Sequence, residues 1–134
     1  MPIRRACDAE ISLSCQVCDI ICSSNTHLPI YEYIVSNFTY DYGKISTLDT
    51  TYVPNIDNIF SSGKGICYDF SSVFAAMLRS RGIPAKLVKG YTTNVKGYHA
   101  WNEVYDSRTG EWIVIDTTYD AEHKAAGRAY SMIK

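Results

Sequence analysis

The chain reads as an α+β domain, helices first and an antiparallel sheet after them, and three observations predict this. Apolar residues at Phe70, Val73, Phe74, Met77 and Leu78 follow the i, i+3, i+4, i+7, i+8 series of one helical face. Gly82 and Pro84 then end that helix. Downstream, residues 99–105 and 112–116 are aromatic and β-branched runs separated by Asp106-Ser107-Arg108-Thr109-Gly110, which is turn chemistry, so they read as a hairpin.

The remaining elements follow in order. Residues 8–22 read as a helix. Ser23 to Thr26 form a break that can cap a second helix running through Ile34 and Val35, with Pro29 tolerated in its first turn. Tyr40 to Pro54 reads as a long, irregular, tyrosine-rich loop of the kind that borders a site. Asn55 to Phe60 suggests a short helical turn, and Ala85 to Tyr91 a strand after the central helix. No repeat or low-complexity tract interrupts this order. One domain over residues 1–134 is expected, with an N-terminal helical segment at 1–24 and a core at 25–120.

At 134 residues the chain is long enough to fold around one core without staples. Apolar residues make up 46% and the net charge is −1, which argues against disorder and against a basic surface for nucleic acid. No apolar run approaches the roughly 20 residues needed to span a bilayer, so membrane insertion is not expected, and Met1-Pro2-Ile3-Arg4-Arg5 is not followed by the apolar stretch of a signal peptide.

Chemistry concentrates at Cys67, in Gly63-Lys64-Gly65-Ile66-Cys67-Tyr68-Asp69, where a glycine-rich turn meets the central helix. A thiol in a helix's first turn feels the positive end of the macrodipole and unpaired N–H groups, both of which favour thiolate. A free cysteine is more commonly a small buried hydrophobe. His99 and Asp116 on the hairpin supply what a nucleophile needs, an imidazole base and an orienting carboxylate. Taken singly, His99 reads as well as a core or surface histidine, and Asp116 as a carboxylate capping the next turn. If Asp106 to Thr109 form the hairpin loop, Tyr105 faces Gly110, Glu103 faces Trp112, Trp101 faces Val114 and His99 faces Asp116. Opposed residues share a face with Cβ atoms about 4.5–5.5 Å apart, within reach of a hydrogen bond. A one-residue change of register would separate them. His27 and His123 lack such a context and read as structural.

Four blocks, Gly63 to Asp69, Met77 to Lys86, His99 to Tyr105 and Trp112 to Thr118, together resemble the transglutaminase-like superfamily core in its bacterial branch. The likeness runs in order from about Tyr31 to Asp120. It implies a papain-like fold with a catalytic triad of Cys67 as nucleophile, His99 as general base and acid, and Asp116 as orienting group. It also implies acyl transfer at peptide or side-chain amides through a thioester. A peptidase or amidase is the preferred hydrolase reading. The alternatives are a glutamine cross-linking transglutaminase and a peptide-binding module that retains the triad without using it. Bacterial relatives lend a lean toward an extracellular or cell-surface setting, and the chain can belong to a larger multidomain protein.

The Cys67 backbone N–H is expected to be one donor to the developing oxyanion, with Tyr40, Tyr52 and Asn58 as unranked candidates for a second. Asp69 is placed to cap the helix. Tyr40, Tyr42, Tyr52, Tyr68, Tyr91, Tyr98 and Tyr105 can simply pack at a half-wet surface or line a peptide groove. Cys15, Cys18 and Cys22 share a helical face, and Cys7 lies upstream. The second paired motif of a zinc site is absent, so core packing is preferred and no metal or cofactor is expected, while a disulfide through Cys7 stays open.

Overall fold

The computed structural model describes residues 26–45, 47–49, 51–92 and 97–125. The expected helix at 8–22 and Cys7, Cys15, Cys18 and Cys22 lie outside them. In chain order the elements are α1 (Leu28–Asn37), β1 (Thr39–Tyr40), α2 (Tyr42–Ile45), α3 (Ile56–Ser62), β2 (Lys64–Gly65), α4 (Cys67–Ser80), β3 (Ala85–Gly90), β4 (His99–Asp106), β5 (Glu111–Ile115) and α5 (Thr117–Ala125).

The centre of the fold is α4. Phe70, Val73, Phe74, Met77 and Leu78, the face marked by the sequence, are all fully buried. The antiparallel sheet β3-β4-β5 packs against one side of α4, and α1 and α5 against the other. Ile30, Tyr31, Ile34 and Val35 of α1 join the same core as Val104 and Ile115 of the sheet. Because the two layers meet on α4, its position is over-determined and its N-terminus is a rigid platform. The buried Asn102 amide donates to Ser71 O and Lys86 O, both at 3.1 Å, tying β4 to α4 and β3. At the other end of α4, Gly82 takes φ 72°. Its N–H bonds Arg79 O, and that of Ile83 bonds Leu78 O. This is the Schellman closure expected of a glycine past a helix end.

Helices α1 and α5 run side by side. The Tyr31 hydroxyl donates to Asp120 Oδ2 at 2.7 Å in the core, and Lys124 Nζ donates to Ser36 Oγ at 2.6 Å one turn further along both helices.

Three expectations need correction. The stretch 40–54 is not irregular throughout: Thr39–Tyr40 forms a short parallel pair with Lys64–Gly65, and Tyr42–Ile45 makes one helical turn. Two-residue strands carry no periodicity, so nothing in the residues announces them. The cap of α1 is shared, with His27 in the cap position and the Thr26 hydroxyl receiving the Leu28 N–H at 3.4 Å. After Asp116 the chain forms α5.

The hairpin register is the third. Asp106 faces Glu111, Tyr105 faces Trp112 and Glu103 faces Val114, so the four-residue loop is Ser107 to Gly110, one position later than expected. Gly110 explains the slide. It adopts φ 75° and donates its N–H to Asp106 O at 2.8 Å, which makes it the left-handed residue closing the turn. Asp106 anchors the other side, its Oδ1 accepting the Arg108 N–H at 3.0 Å. Sliding a loop by one position shifts the partner of every residue by two. The side-chain period is also two, so His99 and Asp116 stay on one face as diagonal neighbours.

Candidate active site

The turn that delivers Cys67 is built by close approach. Gly63 closes α3 in the left-handed conformation (φ 67°), its N–H bonded to Ile59 O. Gly65 then passes so near Asp69 that a Cβ at Gly65 would lie 2.5 Å from Asp69 Cβ and 2.8 Å from its Oδ2. Gly65→Ala is therefore expected to push the start of α4 outward, costing about 1–3 kcal/mol in urea melts, with loss of the selective Cys67 reactivity proposed below.

Asp69, fully buried, is the hub of this region. Its Oδ2 accepts the Ile66 N–H at 2.9 Å and Lys44 Nζ at 2.8 Å, and its Oδ1 accepts the Tyr52 hydroxyl at 2.5 Å. The expected cap is present, and the same carboxylate also binds α2 and the loop carrying Tyr52 to the helix start. This second duty has no signal in the sequence beyond the position of Asp69 in the first turn.

Cys67, the first residue of α4, is a partly exposed free thiol. Its backbone N–H has no acceptor within the helix. His99 opens β4, buried, and its Nε2 lies 2.7 Å from Asp116 Oδ2. Cys67 lies close enough to help raise the His99 pKa, and with Nε2 facing Asp116 the nitrogen left for the thiol is Nδ1. Burial by itself would lower the His99 pKa. The hydrogen bond to Asp116 and the nearby Cys67, with their charges, outweigh it and raise the value to about 9. Near neutral pH the ring is thus held as an imidazolium beside Cys67 and the Asp116 carboxylate.

Asp116 does two things at once. It immediately precedes α5, and its Oδ1 accepts the Tyr119 N–H at 3.1 Å, while Oδ2 holds His99. The capping carboxylate and the imidazole partner are one residue, and the cap fixes where Oδ2 points.

A groove of about 510 Å³ opens over Cys67 and His99, walled by Tyr52, Tyr68, Tyr98 and Lys89. Lys89 Nζ stands 3.5 Å from the Tyr68 ring centroid. Lys89 was not singled out by the sequence, since an isolated lysine on a strand carries no pattern. Of the seven tyrosines expected nearby, Tyr52, Tyr68 and Tyr98 line the groove, and Tyr91 packs edge-on against Tyr98. Tyr40 packs on Tyr42, whose hydroxyl binds Glu122. Tyr105 sits away from the groove, against Trp112 near the hairpin tip. His27 is buried at the start of α1, where burial lowers its pKa against the pull of Asp106, with a smaller push from Arg108 in the same direction as burial. His123 stacks on Tyr119.

Comparison with known proteins bears on the fold. The model of the family described as Transglutaminase-like superfamily matches residues 25–117. A Bacillus subtilis protein described as uncharacterized protein YebA is 34% identical over 108 residues, 66% of this chain and 14% of its own length. A protein-glutamine gamma-glutamyltransferase of Pseudomonas aeruginosa is 33% identical over 75 residues, 47% of this chain and 11% of that protein. Among solved structures, the periplasmic domain of TgpA from Pseudomonas aeruginosa superposes with a TM-score of 0.55 at 21% identity, over 92% of this chain and 43% of that one. The chain thus spans only a small part of the curated relatives it matches, and the solved structure has the same fold.

Proposed function

The chain belongs to the transglutaminase-like superfamily, and from that premise we propose that it carries out cysteine-dependent acyl transfer at peptide or side-chain amides, with residues 25–120 as the catalytic core. Cys67 is the nucleophile, His99 the general acid and base, and Asp116 the group that orients His99. The observation that carries this reading is that Cys67, at the start of α4, and His99 line one groove, with His99 Nε2 held 2.7 Å from Asp116 Oδ2.

The thiolate of Cys67 attacks the amide carbonyl, and a carbon–sulfur bond forms. The carbon–nitrogen bond breaks as His99 gives its proton to the leaving amine, and a thioester remains. Neutral His99 then takes a proton from water, the hydroxide adds to the thioester, and the acid leaves with the thiolate and imidazolium restored. The Cys67 N–H donates to the carbonyl oxygen as its charge develops. The groove over Cys67, walled by tyrosines, suits an extended peptide segment.

Water is the acceptor we favour, which makes the enzyme a peptidase or amidase. The 33% identity to a protein-glutamine gamma-glutamyltransferase supports a second reading, in which an amine resolves the thioester. Ammonia release from glutamine peptides, with and without a primary amine, separates the two. The periplasmic domain of similar fold supports a setting outside the cytoplasm.

Iodoacetamide is expected to modify Cys67 faster than the other four cysteines, as read by mass spectrometry. The pH profile carries the sharper test. Above about 9 His99 loses the proton it must give to the amine, so kcat/KM falls there, whereas alkylation needs only the thiolate and persists. A kcat/KM still rising at pH 10, or equal reactivity of all five cysteines, would overturn the mechanism and leave a peptide-binding module.

A further inference from the structure

Which amides enter the groove over Cys67 depends on the charges along its walls. Besides the imidazolium of His99, the charged side chains lining it among the described residues are Asp49 and Lys89. Asp49 is turned back on its own loop, its Oδ1 accepting the Thr51 N–H at 2.9 Å and the Thr51 hydroxyl at 2.6 Å. Lys89 is not so engaged. Lys44, Lys86 and Lys124 each face a carboxylate, whereas Lys89 forms no ion pair among the described residues.

The ammonium is nonetheless held in place. Lys89 lies near the end of β3 directly opposite Ala100, the residue after His99 on β4, and opposed residues share a face. Its Nζ stands 3.5 Å from the ring centroid of Tyr68, the residue after the nucleophile. That ring in turn meets Tyr52 edge-on at 6.2 Å, and the Tyr52 hydroxyl is fixed by buried Asp69. An aromatic face attracts a cation through its quadrupole without neutralising it. Across the ladder Ala100 offers only a methyl group, so the space beside the ammonium belongs to the groove. A positioned positive charge near the thiol, with no anion of its own, is a seat for a carboxylate that arrives with the substrate.

We propose that Lys89 is a specificity-determining residue that selects acidic peptides, those with an aspartate or glutamate close to the reacting amide; the inference rests on the acyl-transfer reading above and deepens it. An extended chain advances about 3.3 Å per residue, so a carboxylate that reaches Lys89 while the amide sits on Cys67 lies within about three residues of it. The acid meets the ammonium on the side that Tyr68 leaves free. A lysine or arginine of the peptide in the same place meets like charge and is rejected.

A chymotryptic library of bacterial peptides, incubated with the protein and read by mass spectrometry for cleaved and deamidated amides, tests this. With wild type at low salt, acidic residues are expected to be enriched about fivefold near the modified amides, the ratio for a partly exposed charge pair, and less so at high salt. Lys89→Gln keeps the length and removes the charge, so the enrichment is expected to vanish, whereas Lys89→Arg is expected to keep it. Lys89→Glu is expected to favour basic peptides instead. Each figure compares peptides treated by one variant, so an effect on the thiol common to all of them cancels. Enrichment near free chain ends that is abolished by amidating the peptides supports Lys89 with the terminal carboxylate as the group it holds. Wild-type modification without acidic preference, or a preference that persists in Lys89→Gln, overturns the assignment and leaves the acyl-transfer reading standing. Loss of all peptide modification in Lys89→Gln, with iodoacetamide alkylation of Cys67 falling in step, also overturns it, since the lysine would then serve the thiol. No modified amide with the wild-type protein overturns both.

Discussion

Replacing Asp116 with asparagine is expected to lower the rate of acyl transfer by about 10³–10⁴-fold while α5 keeps its cap. The carboxylate serves Tyr119 N–H through one oxygen and His99 through the other. Asparagine has a single oxygen. If it stays on Tyr119, where asparagine caps as well as aspartate, the side-chain NH₂ faces His99 Nε2. Two donors cannot meet, so the ring's proton moves to Nδ1, the nitrogen facing the thiol, and His99 can no longer receive a proton there. The effect on stability is separable by pH. Lifted from 6.5 to about 9 in the fold, His99 contributes stability that is complete below pH 6.5 and lost as pH rises through 9. Wild type and variant should therefore differ by at most about 3 kcal/mol at pH 6 and converge at pH 10. Thermal melts at the two pH values, beside kcat from a peptide amide assay, check both halves. A variant that keeps wild-type turnover would remove Asp116 from the mechanism.

Asp69→Ala is expected to cost the most stability. The substitution strips acceptors from the Ile66 N–H, the Tyr52 hydroxyl and the Lys44 ammonium at once. Breaking a buried ion pair costs about 3–5 kcal/mol, and the lower end applies because Lys44, one-quarter exposed, can swing into water. A loss of about 3 kcal/mol should lower Tm by about 10 °C. Activity should fall with it even well below the melting temperature, because Tyr52 and α2 are no longer held against the start of α4. Asp69→Asn retains an acceptor for Ile66 and should lie between. An Asp69→Ala variant melting within 2 °C of wild type would show that the hub does not bear on stability.

The central helix and the meeting of His99 with Asp116 could be read from residues alone because each depends on a period. Helix α4 announces itself by five apolar side chains on one face and a glycine stop. The hairpin was placed one position off, yet the inference of a shared face survived because the error in the ladder was two, the period of a strand. What could not be read is what lacks a period. The parallel contact of Tyr40 with Gly65 joins residues 25 apart through two-residue strands. The Tyr31–Asp120 bond spans 89 positions, and the convergence of Lys44, Tyr52 and Ile66 on Asp69 arises from packing. Asp116 shows why weighing one role against another can mislead, since capping α5 and holding His99 use different oxygens of the same group.

The pairing of α1 with α5 also bears on how the site is anchored. Tyr31 meets Asp120 and Ser36 meets Lys124, and Asp116, the carboxylate that faces His99, immediately precedes the same α5. The partner of the imidazole is thereby moored to α1 through its own helix, so a disturbance of the seam between the two helices would be felt at His99 although neither helix touches the thiol.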